Sequence, residues 1–129
     1  MTDTILEHGQ LPGSLELAYL GDALYDLRVR EALTRRGGRV RNMHREAVKH
    51  VCAHAQAEAL SRVEGMLDEE EQGVVRRARN ARQTPSGNAD RAEYHRATAL
   101  EALIGFLYIT GREARMREIL DAAIGDLNV

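Results

Sequence analysis

The sequence predicts an all-α protein, and three observations carry that expectation. Helix-forming residues dominate, and the only prolines are Pro12 and Pro85, so long stretches lack the residue that breaks helices. Apolar residues recur at intervals of three and four, the period of one helical face. No stretch of useful length alternates apolar and polar residues as a half-buried strand would. The pattern divides into four or five helices. With 129 residues, 43% of them hydrophobic, the chain suffices for one core, and residues 1–129 are expected to form a single domain.

The first helix is expected to begin after Ser14 as N-cap and to bury Leu17, Leu20, Leu24 and Leu27 along one stripe. It should stop at Gly37-Gly38 after the basic turn Arg35-Arg36, glycine and late positive charge being the usual marks of a helix end. A second is expected from near Asn42 to about Glu64, with Val48, Val51, Ala55, Ala59 and Val63 facing inward. A third opens at Asp68 and Glu71, spaced as a capping box. Its acidic start and arginine-rich end both complement the helix macrodipole, which is reason enough for those charges. The run Gln83 to Asn88 contains proline, serine and glycine and reads as a flexible loop, about 83–89. A fourth helix runs from about Asp90 to Thr110 and ends at Gly111, and a short amphipathic one follows from Arg112 to about Ile124.

Formal net charge is −2, which argues against a protein that coats nucleic acid through bulk positive charge. The charges are unevenly placed, however. Val74 to Arg82 holds Arg76, Arg77, Arg79 and Arg82 with no acid, just after Asp68, Glu69, Glu70 and Glu71. Arginine suits phosphate oxygens because its guanidinium is a planar fork of donors. A compositional bias is the alternative, since Lys49 is the only lysine. The first residues, Met1 to Gly13, carry acids and no apolar run of signal-peptide length, and no later stretch has the apolar length of a membrane span. A single cysteine, Cys52, fits a reducing compartment, so a soluble, cytoplasmic protein is expected.

Two acids stand where the pattern disfavours them. Ala97 to Thr110 contains one charged residue, Glu101, inside a run whose composition says buried. Such a carboxylate has a pairing cation, a bound metal or a raised pKa, and a structural ion pair would satisfy it as well as a functional partner. In the first helix Asp22 follows Gly21, although a glycine there costs about 1 kcal/mol against alanine. Gly105 lies one turn beyond Glu101. Glycines beside both acids are expected where two helix backbones, or a helix and a ligand, approach closely. Read as a site, two carboxylates are the hard oxygen ligands that Mg²⁺ takes, its other positions going to water and phosphate oxygens. Hydrolysis of a phosphodiester is chemistry that such an ion supports, by activating water and steadying the leaving oxygen.

Leu20-Gly21-Asp22-Ala23, with Glu101-Ala102-Leu103-Ile104-Gly105 late in the chain, resembles the signature and the second acidic motif of ribonuclease III. The resemblance sharpens toward the Mini-III subfamily through Leu17 to Ala23, His44-Arg45, Ala55-Gln56-Ala57, Arg76 to Ala81, and Tyr94 through Tyr108. It implies a homodimer of ribonuclease III-type helical bundles and Mg²⁺-dependent cutting of double-stranded RNA, with Mn²⁺ able to substitute. The products would carry 5′-phosphate and 3′-hydroxyl ends.

Within the resemblance, Asp22 and Glu101 match the metal-binding acids. Ribonuclease III commonly has further acids four residues before the first and three before the second. Here those positions are Ala18 and Thr98, as in Mini-III, so the number of metals is open. No double-stranded RNA-binding domain is expected, again as in Mini-III. RNA contact is therefore expected from Arg76, Arg77, Arg79, Asn80 and Arg82, with Ala78 in place of the usual glycine. Duplex RNA is read mainly through shape, phosphates and 2′-hydroxyls. The substrate implied is the precursor of large-subunit (23S) ribosomal RNA. The alternative is a catalytically inactive RNA-binding or ribosome-associated module of the same fold.

Other residues are assigned lesser roles. His50, Cys52 and His54 do not make a zinc site: the histidines would share a helix face, the cysteine would point elsewhere, and no fourth ligand has suitable spacing. His44 is expected to serve packing or the helix start. Asp26, one turn beyond Asp22, and Thr98 are possible supports of the metal ligands. Tyr94 and Tyr108 are expected to pack in the core.

Overall fold

The structure, a computed structural model, describes residues 10–81 and 90–128. Six α-helices follow one another among them: α1 (Ser14–Arg36), α2 (Val40–Val51), α3 (Ala53–Val63), α4 (Glu69–Arg79), α5 (Arg91–Ile109) and α6 (Glu113–Ile124). Short 3₁₀ turns follow α3 at Glu64–Met66 and α6 at Gly125–Asn128. The described residues contain no strand, and the all-α class expected from the sequence holds. The loop expected at about 83–89, and Arg82 before it, lie outside the described residues.

Helix α5 is the axis of the bundle. The Asp90 carboxylate caps it by accepting from the Glu93 N–H at 3.0 Å, and Gly111, with φ 76°, turns the chain away after it. Ala99, Leu100, Ala102, Leu103, Ile104 and Leu107 have no exposed surface. A helix apolar on nearly every side is stable only when surrounded; α1 crosses it, α3 and α4 pack along it, and α6 closes over α3 and α5. Each fully buried leucine or isoleucine contributes about 1.5–3 kcal/mol to holding the bundle together.

Helix α1 runs from its N-cap Gly13 to Gly37. Ser14 is therefore the first helical residue rather than the cap, and the Glu16 carboxylate accepts from the Gly13 N–H at 3.3 Å. The buried face also differs from the expected leucine stripe. Leu17 is buried, but Leu20 and Leu24 are half-buried and Leu27 is exposed. The core face is Leu17, Ala18, Gly21, Tyr25, Val29, Ala32 and Leu33. Small residues on this face admit the α5 backbone, and the leucines flank the crossing.

The expected second helix is two helices. Cys52 adopts extended backbone angles (φ −70°, ψ 160°), its N–H closing α2 on the Val48 carbonyl at 3.1 Å while its own carbonyl starts α3 by accepting from the Gln56 N–H at 3.0 Å. The break lets α2 lie on α1 while α3 turns onto α5 and α6. It also resets the inward face: Val48 is exposed and Ala55 half-buried, whereas Gln56, Ala59, Leu60 and Val63 are buried.

The capping box at α4 is present as expected. Asp68 Oδ1 accepts from the Glu71 N–H at 2.8 Å, and Glu71 Oε1 accepts from the Asp68 N–H at 2.9 Å. Glu71 is nevertheless only 2% exposed, and a buried carboxylate needs a cation. Arg115 of α6 supplies it, donating to both carboxylate oxygens at 2.9 and 2.8 Å and to the Met66 carbonyl at 2.6 Å. The Arg115 guanidinium holds the Glu71 carboxyl below its ordinary range.

Candidate active site

The two unusual acids meet where α1 crosses α5, and the glycines explain how. A Cβ on Gly21 would stand 1.7 Å from the Glu101 carbonyl oxygen, and one on Gly105 would stand 2.0 Å from the Leu17 carbonyl oxygen. The backbones therefore touch directly at two reciprocal points, which only residues without a Cβ permit. Asp22 and Glu101 stand immediately beside these points. Both line one open depression, together with Ala18, Tyr19, Tyr94 and Thr98.

The electrostatics of the pair are those of two like charges crowded together. Burial, followed by a hydrogen bond with Asp22 and by its negative charge, pushes the Glu101 carboxyl up to about 8. Burial likewise pushes the nearby Tyr25 hydroxyl up to about 12, with Glu101 adding to the rise. Among the described residues, no lysine or arginine lines the depression. Glu101 is half-buried, and among the described residues it takes the raised pKa rather than a structural ion pair.

A divalent cation suits this donor set: two carboxylates at an opening to solvent, with no competing lysine or arginine among the described residues that line it. Among the described residues no three histidine, cysteine, aspartate or glutamate side chains converge on one point, so the protein would offer Asp22 and Glu101 and leave the other positions to water and phosphate oxygens, which Mg²⁺ tolerates. Ala18 and Thr98, the positions where ribonuclease III commonly carries further acids, face this same depression. Thr98 is buried, and its hydroxyl donates to the Tyr94 carbonyl at 3.0 Å.

The remaining sequence candidates fall elsewhere. Asp26 is bound to Arg30 at 3.0 Å, one turn further along α1, and does not line the depression. Arg76, Arg77, Arg79 and Asn80 are exposed at the end of α4. Arg76 and Arg79 line a separate depression with Asn80 and Glu64, so the structure does not bring the arginines to the carboxylates. Ala78 between them is fully buried, its methyl filling core space. Tyr94 is half-buried at the depression, but Tyr108 is exposed rather than packed in the core. His50 and His54, expected on one face, are split between α2 and α3; His50 pairs with Glu46, and His54 with Glu58 and Glu93.

Two residues at the site lie in segments that carry the resemblance but were given no role there. Tyr19, 85% exposed, forms part of the depression and lies one turn before Asp22's neighbour Ala23. Gln56 of α3 is 2% exposed and lies against Glu101. Its signal was available, for a polar residue stands in line with Ala59, Leu60 and Val63 on the buried face.

Comparison with known proteins agrees with this geometry. Residues 15–112 match the ribonuclease III domain family, a span that holds both acids and both glycines. A protein of Symbiobacterium thermophilum named Mini-ribonuclease 3 is 50% identical over 84% of this chain and 85% of its own length. One of the same name from a Thermoanaerobacter species is 40% identical over 95% of this chain and 89% of its own. A crystal structure of a Fusobacterium nucleatum protein superposes with a TM-score of 0.78 at 32% identity, covering 84% of this chain and 88% of that one. With its helical bundle, its glycine crossing and its paired acids, the chain belongs to the ribonuclease III family, in the Mini-III branch, and is an endoribonuclease.

Proposed function

We propose that this endoribonuclease cuts double-stranded RNA with Mg²⁺ held between Asp22 and Glu101, Mn²⁺ serving in its place. The observation that carries the proposal is the pair itself: two carboxylates forced together by a backbone crossing, one of them pushed up to about 8, with no cationic side chain among the described residues that line their depression. When bound, the metal supplies charge neutralisation at the scissile phosphate and activation of water. Asp22, exposed on α1, offers its carboxylate to solvent and substrate. Glu101, ionised, would be the second carboxylate to hold the cation, from α5. Ala18 and Thr98 leave room beside the acids and add no charge, so phosphate oxygens can complete the coordination.

Arg76, Arg77, Arg79 and Asn80, with Arg82 in the segment that follows, seat the RNA backbone away from the point of cutting. Their guanidinium forks suit phosphates and carry no strong sequence readout. The enzyme acts as a homodimer, and Leu15 and Tyr19, exposed one turn apart beside the acids, are apolar surface for the second copy. The substrate in the cell is the precursor of 23S ribosomal RNA, and the compartment the cytoplasm; no described helix is long and apolar enough to cross a membrane.

The test is cleavage of an end-labelled RNA duplex with Mg²⁺ by the wild type, Asp22→Asn and Glu101→Gln. Both substitutions keep shape and remove charge, so both variants should fold and bind duplex but cut only at background. Cutting at the wild-type rate by either variant would refute the assignment.

A further inference from the structure

Three polar or charged side chains are buried among the described residues: Gln56, Glu71 and Thr98. Two of them are satisfied. Glu71 is held by Arg115 and by its capping box, and the Thr98 hydroxyl donates to Tyr94. Gln56 is not, because its Nε2 has no hydrogen-bond partner. A buried donor left without an acceptor destabilises the fold, and one retained at that cost has a reason to be where it is.

Its surroundings supply the reason. The break at Cys52 turns α3 onto α5 and rotates Gln56 into the interior, where its amide lies against the Glu101 carboxyl. An amide can present either its oxygen or its NH₂ by turning about its last torsion, so it can face a carboxylic acid or a carboxylate. A buried NH₂ without a partner beside a carboxyl is a donor positioned to hold that carboxylate.

We propose that Gln56 is a positioning residue whose side-chain amide donates to the Glu101 carboxylate and fixes it in the orientation that receives the metal. This rests on Asp22 and Glu101 being the metal ligands. Hydrogen bonds to ligating carboxylates set ligand orientation, and their removal typically weakens metal affinity about 10–100-fold.

The decisive variant is Gln56→Met, which keeps the volume and removes the amide. Because an orphaned donor leaves with it, thermal stability should be unchanged or higher. Mn²⁺ affinity of the RNA-free protein, measured by electron paramagnetic resonance, should fall about tenfold or more. The Mg²⁺ concentration for half-maximal cleavage should rise in parallel, with duplex affinity unchanged. A purely structural role would instead lower the melting temperature and leave the metal dependence alone. A folded Gln56→Met with wild-type Mn²⁺ affinity and Mg²⁺ dependence overturns the proposal.

Should Gln56→Met not fold, the wild type gives the answer by nuclear magnetic resonance. The Gln56 side-chain amide signal should move downfield on adding Mg²⁺ in the wild type and stay in place in Glu101→Gln, and an unresponsive signal overturns the proposal. A wild type that binds no Mn²⁺, together with an Asp22→Asn that still cuts, brings down the metal site itself and Gln56 with it. Normal Mn²⁺ binding by both wild type and Gln56→Met brings down Gln56 alone.

Discussion

Glu101 has an ordinary carboxyl value of 4.5 and is pushed up to about 8 in the folded chain, so the metal-free native state holds its proton more tightly than the unfolded chain does. Its contribution to stability is then fully present below about pH 4.5 and is lost as the pH rises through about 8. In a chelator, the wild type is expected to lose several degrees of melting temperature between about pH 5 and 9, at roughly 4 °C for each ~1 kcal/mol in a chain of this size. Glu101→Gln cannot ionise there and should lose correspondingly less. The difference between the two melting temperatures, plotted against pH, checks this, and a flat difference contradicts it. Both acids were legible in the sequence because each broke a local rule, one as a lone charge in an apolar run and the other beside a helical glycine. Gln56 was legible only in part, as a polar residue in line with Ala59, Leu60 and Val63, because the helix break at Cys52 that turns this face inward leaves no local mark.

That break separates the elements that sequence can define from those it cannot. The bounds of α4 and α5 follow from Asp68, Glu71 and Asp90, and those of α1 and α5 at their far ends from Gly37 and Gly111, all of which act through hydrogen bonds within a few residues. Cys52 has neither proline nor glycine beside it, and its extended angles answer to where α2 and α3 pack rather than to their propensities. The leucine stripe of α1 misled for a similar reason, the central contact favouring Gly21 and Ala18 over larger side chains. The α1–α5 crossing itself gives a sharp expectation. Gly21→Ala places a methyl 1.7 Å from a backbone oxygen, and helix backbones cannot yield as a side chain can, so a loss of about 3 kcal/mol or more is expected in urea denaturation. Gly65→Ala is the control, for nothing lies within 4 Å of its added Cβ, and its midpoint should barely move.

For the whole molecule the notable quantity is charge. A net charge of −2 leaves little general attraction for RNA, so duplex affinity should depend on few contacts. Arg77→Ala and Arg79→Ala, both at exposed positions on α4, are each expected to lower the slope of log affinity against log salt by about 1, equally for duplexes of different sequence. Titrations at several salt concentrations measure it, and an unchanged slope would move the RNA to another face. The paired glycines, finally, bind distant parts of the chain into one heritable unit. Residues 21 and 105 must both lack a Cβ for either acid to stand where it does. A chimera taking α1 from one relative and α5 from another keeps the site only where both parents carry glycine at those positions, so recombination between relatives is constrained at two places at once.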